Sequence, residues 1–299
     1  MYKGAPSIPD LPCVFANKED CSTLEITTED SVLNVQVVLI YVVFNNIDCI
    51  VRSTKITNLS KKNISIKKAL SLSFDMDNDD FDVITLHGSW ARERHICRHS
   101  LHLGKQGVVS MRGESSHQEH PFMAITSKNA SENEGLVYGM NFIYSGNFIA
   151  DAQLNQFNSV RLLMGINPEN FCWQLKENES FYTPQAVLTF SDKGLNGMSQ
   201  AFHNLYRNHL IRGEYKNKIR PILINNWEAT YFNFTTEKLL DIAKEASKRG
   251  IEMLVMDDGW FGKRNSDNCS LGDWFVNEEK IKGGLKHLVE EVNKCGLKF

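Results

Sequence analysis

The sequence has no long apolar segment and no strong excess of charge, and each absence excludes a class of protein. The longest apolar run covers eight residues, 37–44, whereas a membrane-spanning helix needs about 20. The formal net charge of the 299 residues is −3, which provides no field suited to nucleic acid or to an anionic membrane. We therefore expect neither nucleic acid nor a membrane as a partner.

Paired cysteines are also missing. The seven cysteines are scattered and form no Cys-x-x-Cys motif, so neither a disulfide framework nor a finger-type zinc site is expected. Residues 1–12 contain no apolar core of a secretory signal. Reduced thiols without an export signal predict a cytoplasmic protein.

The sequence of the first two thirds of the chain predicts strands separated by turns, and it contains no helical pattern. The β-branched and aromatic stretch 32–44 suits a long strand buried on one or both faces. Further strands are predicted at 50–57, 64–74, 136–144, 148–154, 160–164 and 186–190. Many strands without intervening helices indicate a large β-sandwich, which we assign to residues 1–192.

After the sandwich the pattern becomes helical. Apolar residues at helical spacing predict a helix over residues 195–211, and a short basic stretch follows it. We interpret residues 193–220 as a helical connector between two domains.

Strands and helices alternate from residue 221 onward. Strands are predicted at 221–226 and 251–256, and each is followed by an amphipathic helix. Thr235 or Thr236 can cap the first of these helices, while glycines end both. Residues 297–299 resemble the start of a third strand.

Residues 221–299 are far fewer than the about 250 that a closed (β/α)8 barrel needs. They have room for two to three βα units, which form either a small open sheet or the start of a barrel. The predicted fold class is therefore multi-domain β plus α/β. A large β-sandwich is followed by the first two to three βα units of a truncated (β/α)8 TIM barrel.

Two adjacent carboxylates, Asp257 and Asp258, follow the second strand of this α/β part. Ligands of parallel α/β sheets bind at this carboxyl edge. A carboxylate pair can accept hydrogen bonds from two neighbouring sugar hydroxyls, and the nearby Trp260 offers an apolar wall. The alternatives are a capping turn with an incidental tryptophan, or an Mg²⁺ or Mn²⁺ site for which no third oxygen ligand is evident.

The preceding α/β strand ends in a second polar cluster, Asn225-Asn226-Trp227-Glu228. Two amides, an indole and a carboxylate at a strand end suit the recognition of a polyol. A packed loop in which Trp227 merely covers the end of the sheet explains the pattern equally well.

Residues 87–95 concentrate charge around Trp90 within the β-rich part. This pattern indicates an exposed binding loop or an interface. A solvated edge with weak surface ion pairs is the alternative.

Two further patterns in this part have weak chemical interpretations. His95, Cys97 and His99 alternate along one strand face, but no fourth zinc ligand is placed, so no metal is expected. The polar loop 112–118 holds a possible Ser–His pair without an orienting acid or a nucleophile elbow, which makes a serine hydrolase a poor interpretation.

These segments together resemble the bacterial α-galactosidases of glycoside hydrolase family 36. Six ordered blocks carry the resemblance across essentially the whole chain, namely residues 87–95, 115–118, 196–203, 225–232, 257–264 and 270–275. The resemblance implies a β-sandwich that leads through a helical connector into a (β/α)8 barrel. It also implies hydrolysis of terminal α-linked galactose, as in melibiose and the raffinose sugars, with retention of configuration and without a cofactor.

Carried over residue by residue, the resemblance implies that Asp257 and Asp258 bind the galactose 4- and 6-hydroxyls. Trp227 would form a wall of this subsite. Trp90 would reach a substrate site across a subunit contact, because the family commonly assembles as a homotetramer.

The family's two catalytic acids have no counterpart in this chain. Retaining glycosidases use a carboxylate nucleophile and a carboxyl acid/base, and in this family both are aspartates on later barrel strands, beyond the position of Phe299. We therefore expect an internal piece of a longer enzyme that shows no turnover alone. Two other functions stay open: a non-catalytic galactose-binding or assembly module, and a galactosyltransferase of the raffinose-synthase type.

Overall fold

The computed structural model describes residues 1–77 and 80–299. They form two compact units, Met1–Ile211 and Arg212–Phe299. No helix within these described ranges is long and apolar enough to span a membrane.

The first unit consists of strands followed by one long helix. In chain order the strands are β1 (Tyr2–Lys3), β2 (Cys21–Asp30), β3 (Val35–Phe44), β4 (Cys49–Asn58), β5 (Ile64–Ile66), β6 (Leu70–Met76), β7 (Phe81–Ser89), β8 (Arg92–Ser100), β9 (Gly104–Ser110), β10 (Glu119–Ser127), β11 (Val137–Ile143), β12 (Phe148–Leu154), β13 (Val160–Ile166), β14 (Trp173–Leu175), β15 (Ser180–Tyr182) and β16 (Gln185–Ser191). Helix α1 (Gly194–His209) follows the last strand.

Two antiparallel sheets face each other in this unit. The long sheet has the order β1-β2-β3-β4-β16-β11-β10-β7-β8, with β15 also paired to β4, and the smaller sheet has the order β12-β13-β6. Side chains from both sheets share one buried core, which includes Met123 and Met140 from the long sheet and Leu162 from the small one. Facing sheets around a common core form a β-sandwich, which confirms the predicted fold class.

Helix α1 covers the other face of the long sheet. Its residues Met198, Phe202 and Leu205 pack into a second core that also contains Val42 and Val187. The approach is close at Gly139, where an added Cβ would lie 2.6 Å from the sulfur of Met198. The helix predicted for residues 195–211 is therefore packed against the sandwich as part of the first compact unit.

Residues 64–74, predicted as one strand, form two. Ile66 at the end of β5 pairs with Trp173, whereas Leu70 at the start of β6 pairs with Gly165 in a different sheet. The exposed Lys67 and Lys68 lie between them. The chain changes partner at the two lysines, and the apolar pattern on both sides does not show the break.

The second unit alternates strands and helices. Its elements are β17 (Leu223–Asn225), α2 (Trp227–Thr230), α3 (Thr236–Ser247), β18 (Met253–Val255) and α4 (Gly284–Lys294), with a 3₁₀ turn at Glu214–Lys216 before them. Strands β17 and β18 pair in parallel, and Lys298 forms a parallel bridge to Met253 at the start of a third strand. This is the strand–helix order with which a (β/α)8 barrel begins.

The two long helices of the second unit pack on its strands. Leu239 and Ala243 of α3, Leu254 of β18, and Leu288 and Val292 of α4 are completely buried together. The core therefore fixes both strands from one side and leaves their carboxyl ends at a common edge.

The first of these helices begins at its predicted cap. The Thr235 side chain accepts a hydrogen bond from the backbone N–H of Lys238 at 3.4 Å, which satisfies one of the free donors of the first turn. The glycines that follow α3 and α4, Gly250 and Gly296, have φ angles of 78° and 84°, the left-handed conformation that ends a helix.

Candidate functional site

The carboxyl ends of β17 and β18 bring two predicted clusters together. Asn225 is the last residue of β17 and lies opposite Val255, the last residue of β18. Its side-chain Nδ2 donates a hydrogen bond to Oδ2 of Asp257 at 2.6 Å. The predicted residues Trp227, Asp257 and Asp258 therefore belong to one site at the sheet edge.

The two asparagines hold this site together. The Asn225 side-chain oxygen accepts a hydrogen bond from the Trp227 backbone N–H at 2.8 Å. Asn226 is completely buried, and its side-chain oxygen accepts a hydrogen bond from the Asp257 backbone N–H at 2.8 Å. These bonds to protein groups show that the amides position the carboxylates and the indole, whereas the sequence hypothesis assigned them to polyol recognition.

Trp227 is fixed by aromatic neighbours on its own side of the site. Its ring meets Tyr231 edge-to-face at 5.3 Å and Phe232 edge-to-face at 4.9 Å. Such pairs favour a single ring orientation. The half-buried indole is a rigid apolar surface beside the carboxylates.

Asp258 forms an ion pair with a residue that the sequence analysis did not select, Arg264. Arg264 Nη2 lies 2.6 Å from Oδ2 of Asp258, and its Nε lies 2.8 Å from Oδ1. The backbone N–H of Gly259 also donates to Oδ1, at 2.6 Å. The hydrogen bonds from Arg264 hold the pKa of Asp258 below its usual value, so this carboxyl group is ionised at neutral pH.

Arg264 is itself buried, with 6% of its side chain exposed. Its remaining nitrogen, Nη1, donates to three backbone carbonyls of the following loop, those of Ser266 at 2.9 Å, Asp267 at 2.8 Å and Cys269 at 2.9 Å. A single arginine inside a polar loop has no sequence pattern that signals such contacts, which explains why it was missed.

Lys280 connects the loops that follow the two strands. Its Nζ donates to the carbonyl of Phe232 at 3.0 Å, after β17, and to those of Gly259 at 3.0 Å and Arg264 at 3.2 Å, after β18. Burial lowers the pKa of Lys280. The sequence analysis also missed this residue, because its partners are backbone atoms 16 to 48 positions away.

Asp257 keeps more of its hydrogen-bonding capacity for a ligand. Its Oδ1 accepts one bond from the Asp258 backbone N–H at 2.7 Å, and its Oδ2 accepts the bond from Asn225. Because a carboxylate offers about four acceptor positions, roughly two stay available. The half-buried Asp257 is therefore suited to accept hydrogen bonds from neighbouring hydroxyls.

A divalent cation is not favoured at this edge. Within residues 1–77 and 80–299, no group of three His, Cys, Asp or Glu side chains is arranged to hold a metal ion. Arg264 and the Gly259 N–H take about three of the four acceptor positions of Asp258 and leave about one on Oδ2. The guanidinium charge beside that position disfavours a metal cation but not a hydroxyl. The residues that are present fit an uncharged hydroxylated ligand better than Mg²⁺ or Mn²⁺.

Trp90 belongs to the first unit. The segment 87–95, interpreted as an exposed binding loop or an interface with a solvated edge as the alternative, forms the ends of β7 and β8 together with a tight turn at residues 90 and 91. Strand β8 is an exposed strand at the edge of the long sheet, which agrees with the alternative of a solvated edge. The indole at the tip is 86% exposed.

The base of this hairpin is fixed by polar contacts. His87 contacts Thr85 Oγ1 through Nε2 at 2.8 Å and Glu119 Oε2 through Nδ1 at 3.1 Å. The Gly88 backbone N–H donates to the carbonyl of Gln118 at 3.2 Å. The direction of the turn that carries Trp90 is therefore set by its neighbours in the sheet.

Two family models match the chain in tandem. The glycosyl hydrolase family 36 N-terminal domain matches residues 1–176, and the melibiase model matches residues 180–299.

Curated relatives agree along the full chain. Alpha-galactosidase AgaA of Geobacillus stearothermophilus is 48% identical over 300 residues, which cover 100% of this chain and 41% of that protein. The bifunctional alpha-galactosidase/sucrose kinase AgaSK of Mediterraneibacter gnavus is 45% identical, covering 100% of this chain and 32% of that protein. The chain thus spans about two fifths or less of the length of these relatives.

A solved structure of a doubly substituted variant of AgaA from Geobacillus stearothermophilus in complex with raffinose matches with a TM-score of 0.93 and 47% identity, covering 100% of this chain and 42% of that one. The resemblance inferred from the six sequence blocks is confirmed. Because the first model alone matches more than half of the residues, the chain belongs to glycoside hydrolase family 36.

Proposed function

We propose that this chain acts in the hydrolysis of terminal α-linked galactose, as the galactose-binding part of an α-galactosidase. The pair Asp257–Asp258 beside Trp227 at one strand edge is the observation that carries the proposal. The similar proteins support it, since they are named alpha-galactosidases. Structures of AgaA contain raffinose or stachyose.

The site offers each part of a galactose residue a matching group. The carboxylates of Asp257 and Asp258 accept hydrogen bonds from the 4- and 6-hydroxyls, and the indole of Trp227 packs against the apolar face of the ring. Hydrogen bonds to a charged acceptor contribute about 1.5–3 kcal/mol each. The bond to the 4-hydroxyl, lost with the equatorial hydroxyl of glucose, is sufficient to favour galactose.

Asp257 and Asp258 are not the catalytic acids in this proposal. A retaining glycosidase needs one carboxylate as nucleophile and a second carboxyl group that carries a proton to the leaving group. Asp258 is held ionised by Arg264, which makes it a poor proton donor. We place the nucleophile and the acid/base in sequence beyond this chain, and we expect no turnover from the 299 residues alone.

Expression of the complete reading frame that contains these residues tests the proposal. The expected product hydrolyses an aryl α-galactoside, and its Asp257→Ala/Asp258→Ala variant loses activity by roughly 100-fold or more, since two charged acceptors are removed. Asp241→Asn, an exposed change on α3, is the control that leaves activity unchanged. A double variant as active as the parent contradicts the proposed site.

The alternative of a non-catalytic galactose-binding module is favoured by one observation, the presence of an organised binding edge within this chain. Both functions predict that the purified chain binds galactose, so calorimetry with galactose is combined with a hydrolysis assay of the complete reading frame. Binding without hydrolysis in the complete reading frame as well supports the module, whereas hydrolysis supports the enzyme.

The wider assembly is part of the same proposal. Trp90 is proposed to line a substrate site across a subunit contact in a homotetramer, and its 86% exposed indole on a fixed hairpin is compatible with that role. A cytoplasmic location is proposed because all seven cysteines, each within the described part of the chain, are free.

A further inference from the structure

Arg264 is a buried cation at the edge of the candidate site, and its nitrogens face protein groups. Two of them, Nε and Nη2, contact the carboxylate of Asp258 at 2.6 to 3.0 Å. The third, Nη1, is occupied by three backbone carbonyls. Burial of a guanidinium is unfavourable unless it is paired and fully hydrogen-bonded, and this environment meets both conditions.

The geometry of this pair defines the orientation of Asp258. A guanidinium that donates through two nitrogens fixes the plane of the carboxylate as well as its position. The carbonyls of residues 266, 267 and 269 fix the guanidinium in turn. An ammonium group has no such planar fork, so lysine at this position would keep the charge but not the orientation.

We propose that Arg264 is a positioning residue for galactose recognition, which aims the Asp258 carboxylate at a sugar hydroxyl before the sugar arrives. This inference rests on the proposed function of the site. A carboxylate that is already fixed loses little conformational freedom when it binds, and affinity is correspondingly higher. Arg264 acts through Asp258 and contacts no substrate itself.

The hydrogen bonds of Arg264, together with its charge, have a second effect, on the protonation of Asp258. The charged groups near Asp258 are Arg264 and Lys280, which favour its ionised form, and its chain neighbour Asp257. Removal of the guanidinium raises the pKa of Asp258, because its main cause of lowering is lost while burial remains. Galactose binding through the carboxylate then fails at a higher pH than in the parent protein.

Two substitutions separate orientation from charge. In the complete enzyme, Arg264→Lys is expected to weaken galactose binding about 10- to 100-fold, with a smaller rise in the pH at which binding is lost on acidification than Arg264→Gln shows. Arg264→Gln is expected to weaken binding at least as much and to move that loss to higher pH. Calorimetric titration with galactose across the acid range gives both quantities.

A matched control lies on the sandwich. Arg161 forms a similar two-nitrogen pair with Asp75, at 2.8 Å for both contacts, but it is exposed. Arg161→Gln is expected to bind galactose as the parent does. Melting curves of all variants show whether each is folded, and Arg264→Lys retains a buried cation if Arg264→Gln does not fold.

Two results overturn the inference: galactose affinity of Arg264→Lys equal to that of the parent, or equal losses in both variants with no shift in the pH dependence of a folded Arg264→Gln. Failure of the proposed function looks different, because the parent enzyme itself would then neither bind galactose nor cleave an α-galactoside.

Discussion

Asp257 and Asp258 are adjacent in sequence, yet their surroundings differ. Asp258 is bonded to the buried Arg264 and to the backbone of Gly259, whereas Asp257 accepts bonds only from its neighbour's backbone and from Asn225 among the described contacts. At the residue scale, Asp258 therefore stabilises the fold in addition to binding a ligand, whereas Asp257 serves mainly to bind the ligand.

Asp258→Ala is expected to destabilise the protein more than Asp257→Ala, because it leaves the guanidinium of Arg264 buried without its counter-ion. A difference of several degrees in melting temperature is the expected size. Both variants lose galactose affinity, by about 10-fold or more. Calorimetric melting and sugar titration measure the two effects.

Asp75→Ala serves as the control for this comparison, since its partner Arg161 is solvent-exposed and surface ion pairs contribute little. Equal melting temperatures for Asp257→Ala and Asp258→Ala would contradict the structural task of Asp258.

The thiols of Cys269 and Cys49 are predicted to differ in reactivity. Hydrogen bonding from the Ser266 side chain lowers the pKa of Cys269, while burial raises the pKa of Cys49 to about 12. Since the thiolate is the reactive form, the fraction that reacts near pH 7 rises for Cys269 and falls for Cys49. Mass spectrometry after brief alkylation is expected to find Cys269 labelled and Cys49 unlabelled.

Ser266→Ala provides the matched variant, because it removes the hydroxyl and should slow the labelling of Cys269 alone. Labelling of Cys49 in the folded protein at a rate similar to that of Cys269 would contradict this interpretation.

At the scale of elements, the hairpin formed by β7 and β8 is held in place by its backbone. A Cβ added at Gly88 would lie 2.6 Å from the carbonyl oxygen of His117 and would also clash with that of Arg92. Ala91, in the turn, has a φ of 58°, a conformation that disfavours residues other than glycine. Both positions near Trp90 therefore favour glycine, but only position 88 has it.

Gly88→Ala is expected to lower the melting temperature, because backbone atoms must shift to admit the methyl group. Ala91→Gly is expected to be neutral or to stabilise the protein by up to about 1 kcal/mol, since it relieves the left-handed strain. Urea unfolding of the two variants measures this contrast. Destabilisation by Ala91→Gly that matched the effect of Gly88→Ala would show that the turn conformation is not the determining factor.

The elements differ in how well the sequence predicts them. Strands β17 and β18 and the helices after them were predicted because each has its own apolar periodicity and a cap or glycine at its end. The break between β5 and β6 was not, because both halves are apolar and only their pairing partners differ. Residues 95–99 of strand β8 were predicted to lie on a strand, but its start at Arg92 was not separated from the preceding turn, because the side chains there are charged and exposed.

The candidate site shows the same division. Asp257, Asp258 and Trp227 were predicted to meet because both clusters follow strands of a parallel sheet, whose carboxyl ends share an edge. Arg264 and Lys280 were not predicted, since apart from Asp258 their partners are backbone carbonyls of loops. Contacts of that kind depend on the folded path of the chain and have no local signal.

At the scale of the whole molecule, the boundary between the two compact units lies between Ile211 and Arg212. The residues that follow, 212–220, are basic and largely exposed. Segments of this kind between compact units are preferred sites of proteolysis.

Brief digestion of the chain with trypsin is therefore expected to cut first within residues 212–220 and to release a stable fragment that ends near Arg212. Mass spectrometry of the first products identifies the site. Early cleavage within the sandwich, for example after Arg161, would contradict the division into units.

The ammonium group of Lys280 has a consequence for engineering the ligand specificity of the candidate site. It holds carbonyls from both strand-end segments at once, so neither segment is an independent module. A graft that replaces the turn after β17 with a sequence from another protein must keep the Phe232 carbonyl within reach of this nitrogen. If it does not, the backbone beside Asp258 is released as well, and a change intended for one wall of the sugar pocket alters the opposite wall.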